Sequence, residues 1–126
     1  MAQLIAFSAE ALAGPENLVL IEGVGGAFVP LANGETVADW IRACGTEQLV
    51  VTGSYLGSIS HSLATVEALR ARALPVRALI LCESPVSPVP IAETAAALSR
   101  HLNLPVLLLP RLDTGDAPPD LLSPLL

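Results

Sequence analysis

No lysine occurs anywhere in this 126-residue chain. Its six basic residues are all arginine (Arg42, Arg70, Arg72, Arg77, Arg100 and Arg111), so it holds none of the point-charge lysines that phosphate loops use. The net charge of −6 argues against nucleic acid as a partner, because binding it requires a basic face that neutralises phosphates. The two cysteines, Cys44 and Cys82, lie far apart without CxxC spacing and read as ordinary thiols rather than a disulfide or a metal pair. His61 and His101 form no ligand cluster, which speaks against metal catalysis through His and Cys. Nor is there an apolar run of the roughly 20 residues that cross a bilayer. The N-terminus lacks the basic region of a signal peptide. These absences lead to the expectation of a cytoplasmic protein with no membrane partner.

Aromatic residues make up only 3% of the chain, while 52% is hydrophobic, so the core has to come from Leu, Val, Ile and Ala. That composition suits strands buried on both faces and covered by helices. Four short apolar runs, 18–21, 49–52, 76–82 and 105–109, read as strands. Helices are expected over 4–12, from Thr36 to Cys44, over 58–73 and over 90–103. Thr36 and Asp39 stand in capping-box spacing, and Val37, Trp40, Ile41 and Cys44 share a face. Ile59, Leu63, Val66 and Leu69 form the buried stripe of the next helix. Pro90 suits a first helical turn, where its missing N–H costs nothing. The order α, then β-α-β-α-β-α-β, predicts a three-layer α/β domain over residues 1–112. Its sheet is mostly parallel, of about four strands, with helices on both faces. Residues 113–126 read as a Pro-rich tail. Such a sheet has bare edges, and another chain is expected to cover one.

Two segments carry candidate chemistry. Ligands in open parallel sheets bind at the carboxyl ends of strands. Glu22-Gly23-Val24-Gly25-Gly26 follows the first expected strand and offers a carboxylate for Mg²⁺ beside backbone that can approach a ligand. It lacks the third glycine of a dinucleotide fingerprint, and a plain glycine turn with an exposed acid is an equal reading. Gly53 to His61 joins a strand to a helix start, whose free N–H groups favour an anion. A plain serine cap is the alternative there. Ser60 and His61 are helix neighbours that face apart, and no GxSxG elbow exists, so a hydrolase is not expected.

LVLIEGVGGAFVPLANGETVADWI, VVTGSYLGSISHSLATVEALRARALPV and LPVLLLPRL, in this order from Asn17 to Leu112, resemble the C-terminal portion of dethiobiotin synthetase. The resemblance implies a truncated P-loop NTPase-like fold. It also implies biotin biosynthesis by ATP-dependent ureido-ring closure of 7,8-diaminopelargonate, with Mg²⁺ and ATP as cofactors. By that resemblance Glu22 matches an acidic magnesium ligand, and Gly25 and Gly26 a loop beside the substrate. Leu56, Gly57, Ser58, Ile59 and Ser60 match the segment that receives the substrate carboxylate across a dimer interface. Glu83, Pro110, Arg111 and Leu112 fall where the nucleotide base lies. Glu83 and Ser60 depart from the pattern, since the family usually has Asn at both places.

The family's phosphate loop and its lysines have no counterpart in this sequence. Losing one such donor typically costs about 10²–10³ in rate, so no useful ATP chemistry is expected from this chain alone. Three readings remain open, one of them a structural remnant with no ligand. Another is a synthetase-like chain that needs a P-loop-bearing partner. The third is a non-catalytic homodimer that binds a small carboxylate or another protein.

Overall fold

In the computed structural model, which describes residues 1–125, the chain divides into two compact units, Met1–Thr46 and the residues from Glu47 onward. The first unit holds two helices, α1 (Ala2–Leu12) and α2 (Val37–Cys44). Their packing is pinned by a buried polar pair. The Ser8 hydroxyl donates to the Leu4 carbonyl at 2.8 Å and accepts the indole N–H of Trp40 at 3.0 Å. The expected box opens α2. The Asp39 carboxylate accepts both the backbone N–H and the hydroxyl of Thr36, each at 2.8 Å. Gly45, in the left-handed conformation, closes it.

The strand expected over 18–21 does not form. This stretch pairs with no strand among the described residues, and Leu18, Leu20 and Ile21 are 45%, 65% and 39% exposed. An apolar run becomes a strand only when a neighbouring ladder takes up its backbone groups, and that neighbour is non-local. The sheet therefore has three strands rather than about four.

The second unit carries that sheet: β1 (Gln48–Gly53), α3 (Ser58–Ala71), β2 (Val76–Cys82), α4 (Ile91–Leu102) and β3 (Val106–Leu109). All pairings are parallel, in the order β1-β2-β3, with Val50 beside Leu79 and Leu79 beside Val106. Two crossovers of one hand stepping in one direction put both helices on the same face. Accordingly, α3 and α4 contact each other as well as the strands. Val66, Leu79, Leu81, Leu98 and Leu102 form the core between them, with Ile59 and Leu63 packed at its margin. Pro90 lies just outside α4 in an extended conformation (ψ 137°) instead of in its first turn. At the far end Asn103 turns left-handed, and Arg70 donates to the Leu102 carbonyl at 2.8 Å. Beyond β3 the chain is irregular up to a short 3-10 turn, Ser123–Leu125.

Candidate functional site

The carboxyl ends of β1 and β2 are tied together by serines. Ser54 N–H donates to the Ser84 hydroxyl at 3.0 Å, and Ser84 N–H donates to the Ser54 hydroxyl at 2.9 Å. The Ser87 hydroxyl adds a bond to the Ser54 carbonyl at 3.1 Å. A Cβ on Gly53 would lie 2.7 Å from the Ser84 oxygen, so this bracket requires glycine at the end of β1. The two loops that leave the sheet edge are thus held at a fixed separation.

Between them opens a pocket of about 260 Å³, lined by Ser54, Tyr55, Leu56, Gly57, Ser58 and Ile59 together with Pro88, Val89 and Thr94. Four of the five predicted carboxylate-segment residues line it: Leu56, Gly57, Ser58 and Ile59. Gly57 (φ +94°) is the N-cap of α3, and its carbonyl accepts His61 N–H at 3.1 Å. Ser58 N–H is taken by the Tyr55 carbonyl at 3.0 Å. The N–H groups of Ile59 and Ser60 meet no acceptor among the described residues, and this is the end of the helix that favours an anion. The buried residues Ser58 (2% exposed) and Thr94 (3% exposed) also line this pocket. His61 Nδ1 meets the Tyr55 hydroxyl at 3.0 Å.

Ser54 and Tyr55 fall within the expected anion segment Gly53 to His61, whereas Thr94 was not legible as a site residue. Thr94 sits in the first turn of α4 just ahead of three alanines, and only the crossover of α4 beside α3 brings it to this pocket.

The predicted nucleotide residues also meet. Glu83 is half-buried directly after β2, and its N–H donates to the Leu109 carbonyl at 2.8 Å, extending the β2–β3 ladder by one step. The next donor from the β3 side of a parallel ladder is Arg111 N–H, and it goes to the Glu83 carboxylate at 3.0 Å. One of its oxygens is therefore already engaged by the loop that carries Pro110, Arg111 and Leu112.

Glu22, Gly25 and Gly26 belong to the first unit, and Glu22 is exposed. Because residues 18–21 form no strand, Glu22 does not stand at a strand end. No group of three or more His, Cys, Asp and Glu side chains that could hold a metal exists among the described residues. Glu22 offers a single carboxylate, which fits the one or two that Mg²⁺ takes when phosphates and waters fill its other positions. Gly25 has φ +71°, and a Cβ there would come within 2.8 Å of Val29. Gly26 is different: a Cβ there meets nothing within 4 Å. The fold needs the first glycine and leaves the second free for a ligand to approach.

Residues 1–119 match a family model described as AAA domain. The chain is 48% identical over 99 residues to the ATP-dependent dethiobiotin synthetase of Acidiphilium cryptum, covering 79% of this chain and 44% of that protein. To the protein of the same name from Methylobacterium nodulans it is 41% identical over 113 residues, 88% of this chain and 50% of the relative. That of a Caulobacter species is 43% identical over 103 residues, 81% and 44%. The sequence resemblance is borne out, and the chain spans about half the length of the curated relatives it matches. No helix among the described residues is long and apolar enough to cross a membrane.

Proposed function

This chain belongs to the AAA-domain family, and from that premise we propose that it supplies the substrate-carboxylate and magnesium-side parts of a dethiobiotin synthetase-type site. The phosphate-binding lysines then come from another polypeptide segment. The observation that carries the reading is the α3 start, where the free Ile59 N–H and the hydroxyl residues Ser58 and Thr94 belong to one small pocket, with the free Ser60 N–H next in the same helical turn. That arrangement suits a carboxylate at the end of an apolar chain, such as a diamino acid.

In this reading Ile59 and Ser60 hold the carboxylate through their N–H groups, and Ser58 and Thr94 orient it. Leu56 and Val89 border its aliphatic part. ATP and Mg²⁺, if bound, would supply the activation that ring closure needs. Glu22 would provide one ligand to the metal, and Gly26 leaves room beside it. Two copies of the chain would let the α3 start of one serve the site of the other. The exposed apolar run Leu18–Ile21 supports a missing neighbour that brings a strand.

A second reading, a carboxylate binder without nucleotide chemistry, is favoured by Glu83, whose carboxylate is engaged by its own chain. Calorimetry with diaminopelargonate separates the two, run alone, with MgATP, and with a polypeptide carrying a GxxxxGK[ST] loop. The first reading expects ring closure only in the three-component mixture. Diamino-acid binding that ignores both additions supports the second. No binding at millimolar concentration sinks both.

A further inference from the structure

One wall of the pocket at the α3 start is a side chain that a second side chain holds. Tyr55 lines this pocket, yet it is 42% exposed, and a ring so exposed ordinarily turns among its rotamers. Two contacts confine it. Its edge lies against Gly53, where a Cβ would come 3.0 Å from Cδ1 of the ring and 3.4 Å from Cε1. Its hydroxyl shares a hydrogen bond with His61 Nδ1 at 3.0 Å, with the ring centroids 5.8 Å apart and the planes tilted by 46°. His61 is the fourth residue of α3, and its N–H is anchored to the Gly57 carbonyl. The pair therefore bridges residues 55 and 61, with only Leu56 and Gly57 at the loop tip before the helix begins. Both partners are exposed and neither belongs to the hydrophobic core. The bond thus adds little to the fold and acts on the ring that borders the pocket.

We propose that Tyr55 is a ligand-contacting wall of this pocket and that His61 is a positioning residue acting through it. The proposal deepens the carboxylate-pocket reading above and rests on it. The ligand class stays the same, an apolar chain ending in a carboxylate, and its methylene groups pack on the phenol ring. A freely turning tyrosine would lose its rotamer freedom on binding, and that loss lowers affinity. The bond to His61 orders the ring before any ligand arrives. Imidazole suits this task, because its Nδ1 can accept the phenol proton or donate to the phenol oxygen. The bridge therefore holds in either neutral tautomer.

Tyr55 is the only tyrosine in the sequence, so its ring resonances in an NMR titration with diaminopelargonate report this wall alone. In the unaltered chain they should move as the ligand is added. Calorimetry then gives the dissociation constant of each variant. Tyr55→Phe keeps the ring without its hydroxyl, and His61→Ala removes the hydroxyl's partner. Each should weaken binding about two- to tenfold, the span expected for ordering one side chain. The double variant should bind no worse than either single one, because both changes break the same bond. His61→Asn puts an amide where Nδ1 stands and should restore most of the affinity, which general damage to α3 would not allow. Thermal melting monitored by circular dichroism verifies that each variant folds. Equal binding in all variants, additive losses in the double variant, or Tyr55 resonances that stay still while calorimetry registers binding overturns this wall and leaves the carboxylate pocket standing. No binding by the unaltered chain overturns both.

Discussion

The carboxylate of Glu83 accepts the backbone N–H of Arg111 at 3.0 Å. The bond takes the N–H that would otherwise continue the β2–β3 ladder, so the side chain at the end of one strand fixes the loop leaving the next. Glu83→Gln keeps an acceptor oxygen and should leave this loop ordered. Glu83→Ala removes it, and a hydrogen bond of this kind contributes about 0.5–1.5 kcal/mol net. Hydrogen exchange at Arg111 should then quicken by up to about tenfold. Equal exchange in all three proteins would show that the carboxylate does not hold the loop.

The two neighbouring glycines should separate cleanly on substitution. Gly25→Ala puts a Cβ at positive φ and 2.8 Å from Val29, and should cost about 1–3 kcal/mol in urea unfolding. Gly26→Ala meets no neighbour and should change stability by less than about 0.5 kcal/mol. If Gly26 faces a ligand, its variant loses ligand affinity while keeping its melting temperature.

Ser8→Ala should destabilise the first unit by about 1–3 kcal/mol, because it leaves the buried Trp40 indole N–H without its acceptor. Tryptophan fluorescence followed through denaturant reads this directly. A Ser8→Thr variant retains an acceptor oxygen at the position and should lose less.

The tail has one acid-sensitive joint. The Asp120 carboxyl is held below its ordinary value of 3.8, first by the Ser123 hydroxyl, then by the Ser123 N–H, with the Leu122 N–H a smaller contribution and desolvation opposing. A depressed folded-state pKa means that its support for the Ser123–Leu125 turn is present above the ordinary carboxylate pKa. That support fades as pH falls through the lowered value. In an NMR titration the Ser123 amide should shift together with the Asp120 carboxyl, both with a midpoint below 3.8. A midpoint at or above that value would remove the hydrogen bond from the account.

Thr36 and Asp39 announced the start of α2 through spacing alone, and the bonds between them formed as read. The second strand was legible to the residue, Val76–Cys82, since seven mostly apolar residues between a proline and a charged turn allow little else. Ends set by neighbours were less visible. α3 stops at Ala71, two residues short of the expected end, because Arg72 closes it and Ala73 adopts a positive φ. The segment at the α3 start that lines the pocket was singled out from its glycine and serines. Its companions Thr94 and Val89 were not, since they lie on another crossover about 30 residues away.

By itself, then, the sequence determined what depends on nearby residues: the caps, the helical stripes, the parallel α/β order and the absence of any lysine. The motifs that tie the chain to its family lie in such continuous stretches, so they too could be read directly. Tertiary structure decided what depends on distant pairing. It denied residues 18–21 a ladder, joined Glu83 to Arg111, and brought Thr94 beside Ser58. The physical reason is one of range. A cap or a helical stripe is satisfied within a few residues, whereas a strand or a pocket exists only when separate segments meet.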